Sequence, residues 1–144
     1  MASEVHDTVA ERLRRIGQRY TANRRALVEV LDRAEHPLTI PQVLERGKRL
    51  PQSSVYRNLA VLEQASVVHR IVTSDEFARY ELVEDLTEHH HHLICMNCGR
   101  VEDFTASPAV ERSAVSGLKR AAARAGFDVK SHRLDLIGLC RDCA

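Results

Sequence analysis

Apolar residues in the first half of the chain recur at helical spacing. In EVHDTVAERLRRIG, Val5, Val9, Leu13 and Ile16 share one face and Gly17 supplies a stop. TANRRALVEVLDRA carries Ala26, Leu27, Val30 and Leu31 behind Thr21, a residue type whose hydroxyl caps helix starts. TIPQVLERGKRL opens in the same way, with Thr39 as cap and Pro41 in the first turn. PQSSVYRNLAVLEQA offers Ser53 or Ser54 as cap before Val55, Leu59 and Leu62. At Ser66 the period shortens. VVHRIV and ARYELV are short β-branched and aromatic runs joined by TSDEF, the pattern of a hairpin. A long N-terminal helix, three more helices and a two-stranded wing make a winged-helix arrangement. Tyr56 and Arg57 then fall in the first turn of the helix that would enter a DNA major groove.

Polar VEDLTE ends this unit and reads as a hinge. The chain divides into 1–83, a hinge over 84–88 and a second unit over 89–144. In the second unit, HHHHLIC and GRVEDF predict two strands joined around a CxxC. SPAVERSAVSGLKRAAARAG predicts a helix with Ser107 as cap, Pro108 at its first position and Gly126 at its stop. FDVKSHRLDLIGLC reads as a last strand. So thin a ββαβ unit buries little apolar surface alone, which predicts dimerisation and a metal tie. The expected class is α+β.

Composition adds a compartment and a basic stretch. Charge nearly balances, with 21 Lys or Arg against 20 Asp or Glu. From Glu11 to Arg57, however, there are 11 basic and 5 acidic residues, an excess of the kind that meets phosphates. No apolar run approaches the roughly 20 residues of a membrane span, and no signal-peptide pattern opens the chain. A cytoplasmic protein is expected, and in that compartment paired cysteines favour metal over disulfides.

The cysteines form two CxxC knuckles, Cys95 with Cys98 and Cys140 with Cys143. A two-residue gap lets both thiolates face one ion, and two knuckles complete a tetrahedron. Four protein ligands leave no open position, so the expected site is structural zinc. The rival is a redox pair, but neither knuckle opens a helix in the context such a pair needs.

Four consecutive histidines, His89 to His92, precede the first knuckle. Side chains on a strand alternate faces, so His89 and His91 point one way and His90 and His92 the other. Each pair can serve a separate metal centre. The candidate partners are His69 and Glu81 on the wing, His36 between the second and third helices, Glu111 at the start of the late helix, and His132 on the last strand.

Together, SSVYRNLAVLEQASVVHR, EHHHHLICMNCGRVEDF and SHRLDLIGLCRDC resemble the ferric uptake regulator (Fur) superfamily of bacterial metal-sensing repressors, from about Tyr20 to Cys143. The resemblance implies a winged helix, a dimerisation domain and metal-promoted binding of a homodimer to palindromic double-stranded operator DNA. It implies no membrane and no small organic substrate. Ser54, Val55, Tyr56 and Arg57 stand at the family's TVYR signature, and Arg24 at its TxxR position. Cys95, Cys98, Cys140 and Cys143 match the structural zinc site. Glu81, His90 and His92 match the sensing site at the hinge. Its further ligand is His69 if the zinc-sensing pattern applies, or His36 with Asp103 if the iron and peroxide sensors are the guide. His89, His91, Glu111 and His132 resemble a third site. Three imidazoles and one carboxylate suit Zn(II), while the His36 and Asp103 set suits Fe(II) or Mn(II). The reading leans to zinc because His69 lies on the wing. Arg14, Arg15, Arg19, Arg24, Lys48 and Arg49 are the expected phosphate contacts, with Tyr56 and Arg57 at or near the bases. The remaining rivals are a thiol redox protein and a metal store. A zinc enzyme is disfavoured because the chain has neither HExxH nor the deaminase pattern.

Overall fold

A computed structural model describes residues 2–73 and 75–144. Helix α1 (Ala2–Arg15) ends at Gly17, whose φ of 72° reverses the chain. Thr21 caps α2 (Ala22–Asp32) by accepting the Arg24 amide. Thr39 closes a capping box with Gln42 at the start of α3 (Ile40–Arg46). The start of α4 (Gln52–Gln64) departs from the expectation. Its cap is Pro51, with no side-chain cap bond. Ser54 instead donates its hydroxyl to the Pro51 carbonyl at 3.0 Å. Tyr56 and Arg57 therefore lie in the second turn, not the first.

Strands β2 (Val68–Ile71) and β3 (Arg79–Leu82) form the expected antiparallel hairpin; Ser74, in its connecting segment, lies outside the described residues. A strand that the sequence reading lacked, β1 (Leu38–Thr39), pairs on the other side of β3. One apolar cluster joins Val9 and Leu13 of α1, Leu27 and Val28 of α2, Val43 of α3, Val55, Leu59 and Leu62 of α4, and Val68 and Leu82 of the wing. Fully burying such a side chain contributes roughly 1.5–3 kcal/mol, so this half has a core of its own.

The second half has much less. Strands β4 (His91–Cys95) and β5 (Val101–Phe104) are antiparallel, α5 (Pro108–Arg124) crosses over, and β6 (Asp135–Gly138) lies parallel to β4 in the order β5-β4-β6. His132, expected on the last strand, sits just ahead of it. Cys95 and Val101 are the buried hydrophobics of this unit among the described residues. No described residue of α5 is buried, and all four residues of β6 are exposed. Leu136, Ile137 and Leu139 thus present an apolar edge.

Contacts outside the histidine run also tie the first half to the turn that follows it and to the second half. Arg12 of α1 donates to the Ser66 carbonyl at 2.6 Å and forks onto Asp85 in the 3-10 turn Glu84–Leu86. At the far end of the wing, Asp75 is held by Arg79, with two N–H bonds of 2.8 Å, and rests against Gly99 beside the first knuckle. Gly99 has φ 77°, and a methyl built on it would overlap the Asp75 carboxylate. No helix of the described residues is long and apolar enough to cross a membrane.

Candidate metal centres

The four sulfurs converge. All lie within 4.8 Å of one another, and Cys98 Sγ is 3.8 Å from Cys140 Sγ. A tetrahedron with Zn–S bonds of roughly 2.3 Å has sulfurs about 3.8 Å apart, so the donor set fits zinc. The Cys140 amide donates to Cys95 Sγ at 3.4 Å. Amides of Cys98 and Cys140 favour the Cys95 thiolate and bring its pKa down to about 6. At Cys143 the Asn97 side chain favours the thiolate, but the neighbouring sulfurs and desolvation outweigh it and push the thiol up to about 11. One ready thiolate among crowded thiols is what a cation would relieve.

The histidine run divides by face as period two requires, although β4 itself starts only at His91. His89 and His91 meet Glu111 and His132. His132 Nε2 is 3.2 Å and His89 Nε2 3.4 Å from Glu111 Oε2, while His91 contacts Oε1. Glu111 is in the first turn of α5, where the helix dipole favours an anion. Hydrogen bonding from His91 is the main reason its carboxyl titrates low. Glu84, which sequence reasoning missed, contacts His89 from the 3-10 turn.

On the other face, His90 and His92 meet the wing. His90 Nε2 is 3.0 Å from Glu81 Oε2, and His92 Nε2 is 3.0 Å from Glu81 Oε1. Asp103, the register partner of His92 on β5, stands 3.7 Å from His92 and 3.8 Å from His90. Glu81, His90, His92 and Asp103 form a group whose donor atoms all lie within 4.8 Å. Asp103 Oδ1 is buried with no hydrogen-bond partner, and His92 Nε2, buried beside it, meets only carboxylate oxygens of the same group. Buried donors crowded at one point fit a metal ion. Burial raises the Glu81 carboxyl, but hydrogen bonds from His69, His92 and His90 overcome this and hold it far below the usual range. Desolvation opposes charge on His92, yet Glu81, Asp135 and Asp103 raise its pKa above the ordinary imidazole value.

His69 and His36 each lie near this group. His69 faces Glu81 across the β2–β3 pair, with Nε2 2.8 Å from Oε1. His36 donates Nδ1–H to the Pro37 carbonyl at 2.9 Å, and lines a cavity of about 410 Å³ with Glu81, His90 and Asp103. Neither belongs to the four-residue group.

Among the expected nucleic-acid contacts, Tyr56 and Arg57 are exposed on α4, and Ser54 is half-buried at its start. Arg19, Lys48 and Arg49 are exposed; Arg14 and Arg15 are exposed and paired to Glu11. Arg24 is placed inside instead. It is 9% exposed, with Nε–H donating to Asn58 Oδ1 at 3.0 Å and a second N–H to the Arg19 carbonyl at 2.6 Å. That guanidinium links α2 to α4.

Comparison with known proteins agrees with this arrangement. The sequence model of the ferric uptake regulator family matches residues 15–137. The peroxide operon regulator of Bacillus subtilis is 34% identical over 149 aligned positions, covering 100% of this chain and 97% of that protein. A ferric uptake regulation protein of Legionella pneumophila is 32% identical, covering 93% and 97%. The Helicobacter pylori ferric uptake regulator, described as having three functional metal binding sites, superposes with a TM-score of 0.73 at 26% identity, covering 99% of this chain and 93% of that one. Matched nearly end to end in sequence and in fold, the chain belongs to the ferric uptake regulator family and is a regulator rather than an enzyme.

Proposed function

We propose that this chain is a metal-responsive repressor that binds palindromic operator DNA as a homodimer, with residues 1–83 reading DNA, 84–88 as hinge and 89–144 as the dimerising unit. One observation carries the reading: Glu81 of the wing and the pair His90 and His92 of the second unit share a single point. Four thiolates hold structural zinc beside β4, and His89, His91, Glu111 and His132 offer a further site. A divalent ion at the hinge would supply the charge that fixes β3 against β4 and β5. Glu81 then anchors the wing while His90 and His92 anchor the other half. With the angle set, two α4 helices of a dimer can meet half-sites one DNA turn apart. Without that restraint the competent population falls, and apparent DNA affinity falls by the same fraction. Linkage makes the coupling mutual. The apolar edge of β6 and the thin second unit support dimerisation.

We favour a harder set over the zinc preference expected from His69. The tight group contains Asp103, so two carboxylates and two imidazoles face the ion, which favours Fe(II) or Mn(II). Zn(II), with His69 as fourth donor, is the second reading, supported by the 2.8 Å contact of His69 with Glu81. The experiment is a gel shift of the His90→Ala protein on operator DNA. The variant is expected to fold and dimerise but ignore added metal, and a normal response refutes the hinge. Repeating it with Asp103→Ala and His69→Ala against Fe(II), Mn(II) and Zn(II) separates the two donor sets.

A further inference from the structure

Asp135 belongs to none of the three donor groups, yet it meets a donor directly. Its Oδ1 lies 3.3 Å from His92 Nδ1, and the two residues are register partners across the parallel β4–β6 pair. The other nitrogen of His92, Nε2, is the atom that faces Glu81 and Asp103. The imidazole is only 6% exposed, so the ring has no solvent to turn to. A neutral imidazole has one N–H and one lone pair, and a carboxylate only accepts. Carboxylates flank both nitrogens, so once an ion is bound at Nε2 the single proton of the neutral ring sits on Nδ1, where Asp135 accepts it.

Resting on the hinge reading above, we propose that Asp135 is a positioning residue of the hinge centre: from β6 it takes the Nδ1–H of His92 and aims the Nε2 lone pair at the ion shared with Glu81 and His90. A partner of this kind fixes ring orientation and raises ligand basicity, typically changing metal affinity roughly 10–100-fold. It also gives β6 a second duty. The segment running from His132 through Asp135 to Cys140 then touches all three donor groups in turn.

The test titrates Mn(II), which four thiolates hold poorly, into full-length protein carrying His132→Ala, so that the third donor group lacks a ligand. In that background Asp135→Ala is expected to weaken Mn(II) binding roughly 10–100-fold, and Asp135→Glu to restore most of it. In Zn(II)-loaded protein without substitutions, nitrogen-15 shifts are expected to show His92 protonated at Nδ1 and metallated at Nε2. His90→Ala is the control for the hinge itself. If His90→Ala binds Mn(II) as its parent does, the hinge reading fails. If His90→Ala loses the ion but Asp135→Ala does not, or if His92 is metallated through Nδ1, the hinge stands and the role of Asp135 is overturned.

Discussion

Asp75 shows how much one carboxylate can organise. Arg79 is the main reason its pKa lies far below the ordinary aspartate value, with Thr73 and the Phe77 amide adding to it. A depressed carboxylate contributes stability that is complete above the unfolded pKa of roughly 4 and fades as pH drops toward the folded value. Asp75→Asn should therefore cost about 1 kcal/mol at neutral pH, the modest value of a charge-assisted pair at a partly solvated edge. Below about pH 4 the gap to the parent should close, as read from urea midpoints across pH. At this scale the sequence was legible wherever chemistry is local. Thr21, Thr39 and Ser107 cap as their residue types dictate, because each needs only an amide two or three positions away. The burial of Arg24 was not legible, because a guanidinium's fate depends on Asn58, far along the chain, which periodicity cannot place.

Elements divide in the same way. The alternation of His89 to His92 survives even though the strand begins midway through it, because period two follows from extended backbone alone. The start of α4 did not emerge, since Pro51 and two serines all carry helix-start signals and only packing chooses between them. Pairings of β1 with β3 and of β6 with β4 were also hidden, and with them the place of Asp135. Arg57→Ala on exposed α4 should weaken operator binding by roughly 1–3 kcal/mol if Arg57 reads a base, measured against random DNA. An equal loss on both DNAs makes it a phosphate contact. At the turn after the first knuckle, Gly99→Ala should cost about 1–2 kcal/mol from its left-handed backbone alone, read as a lower melting temperature.

Across the whole molecule, stability is unevenly shared. The first half owns the apolar cluster, while the second has little core and leaves β6 exposed, so on the proposed reading it depends on the thiolate tie and on a partner over β6. Cys140→Ser should release zinc and abolish the dimer while leaving α1 to α4 folded, checked by native mass and light scattering; a dimer that persists contradicts the four-thiolate tie. The wing spans both dependencies, because Glu81 at one end enters the imidazole cluster and Asp75 at the other leans on Gly99. It is a strap with two buckles. Oxidising the cysteines opens one buckle and leaves the other shut, so the tip near Phe77 would become open to proteases while α4 stayed in place. Oxidative stress and metal scarcity would then leave different scars on the same ribbon.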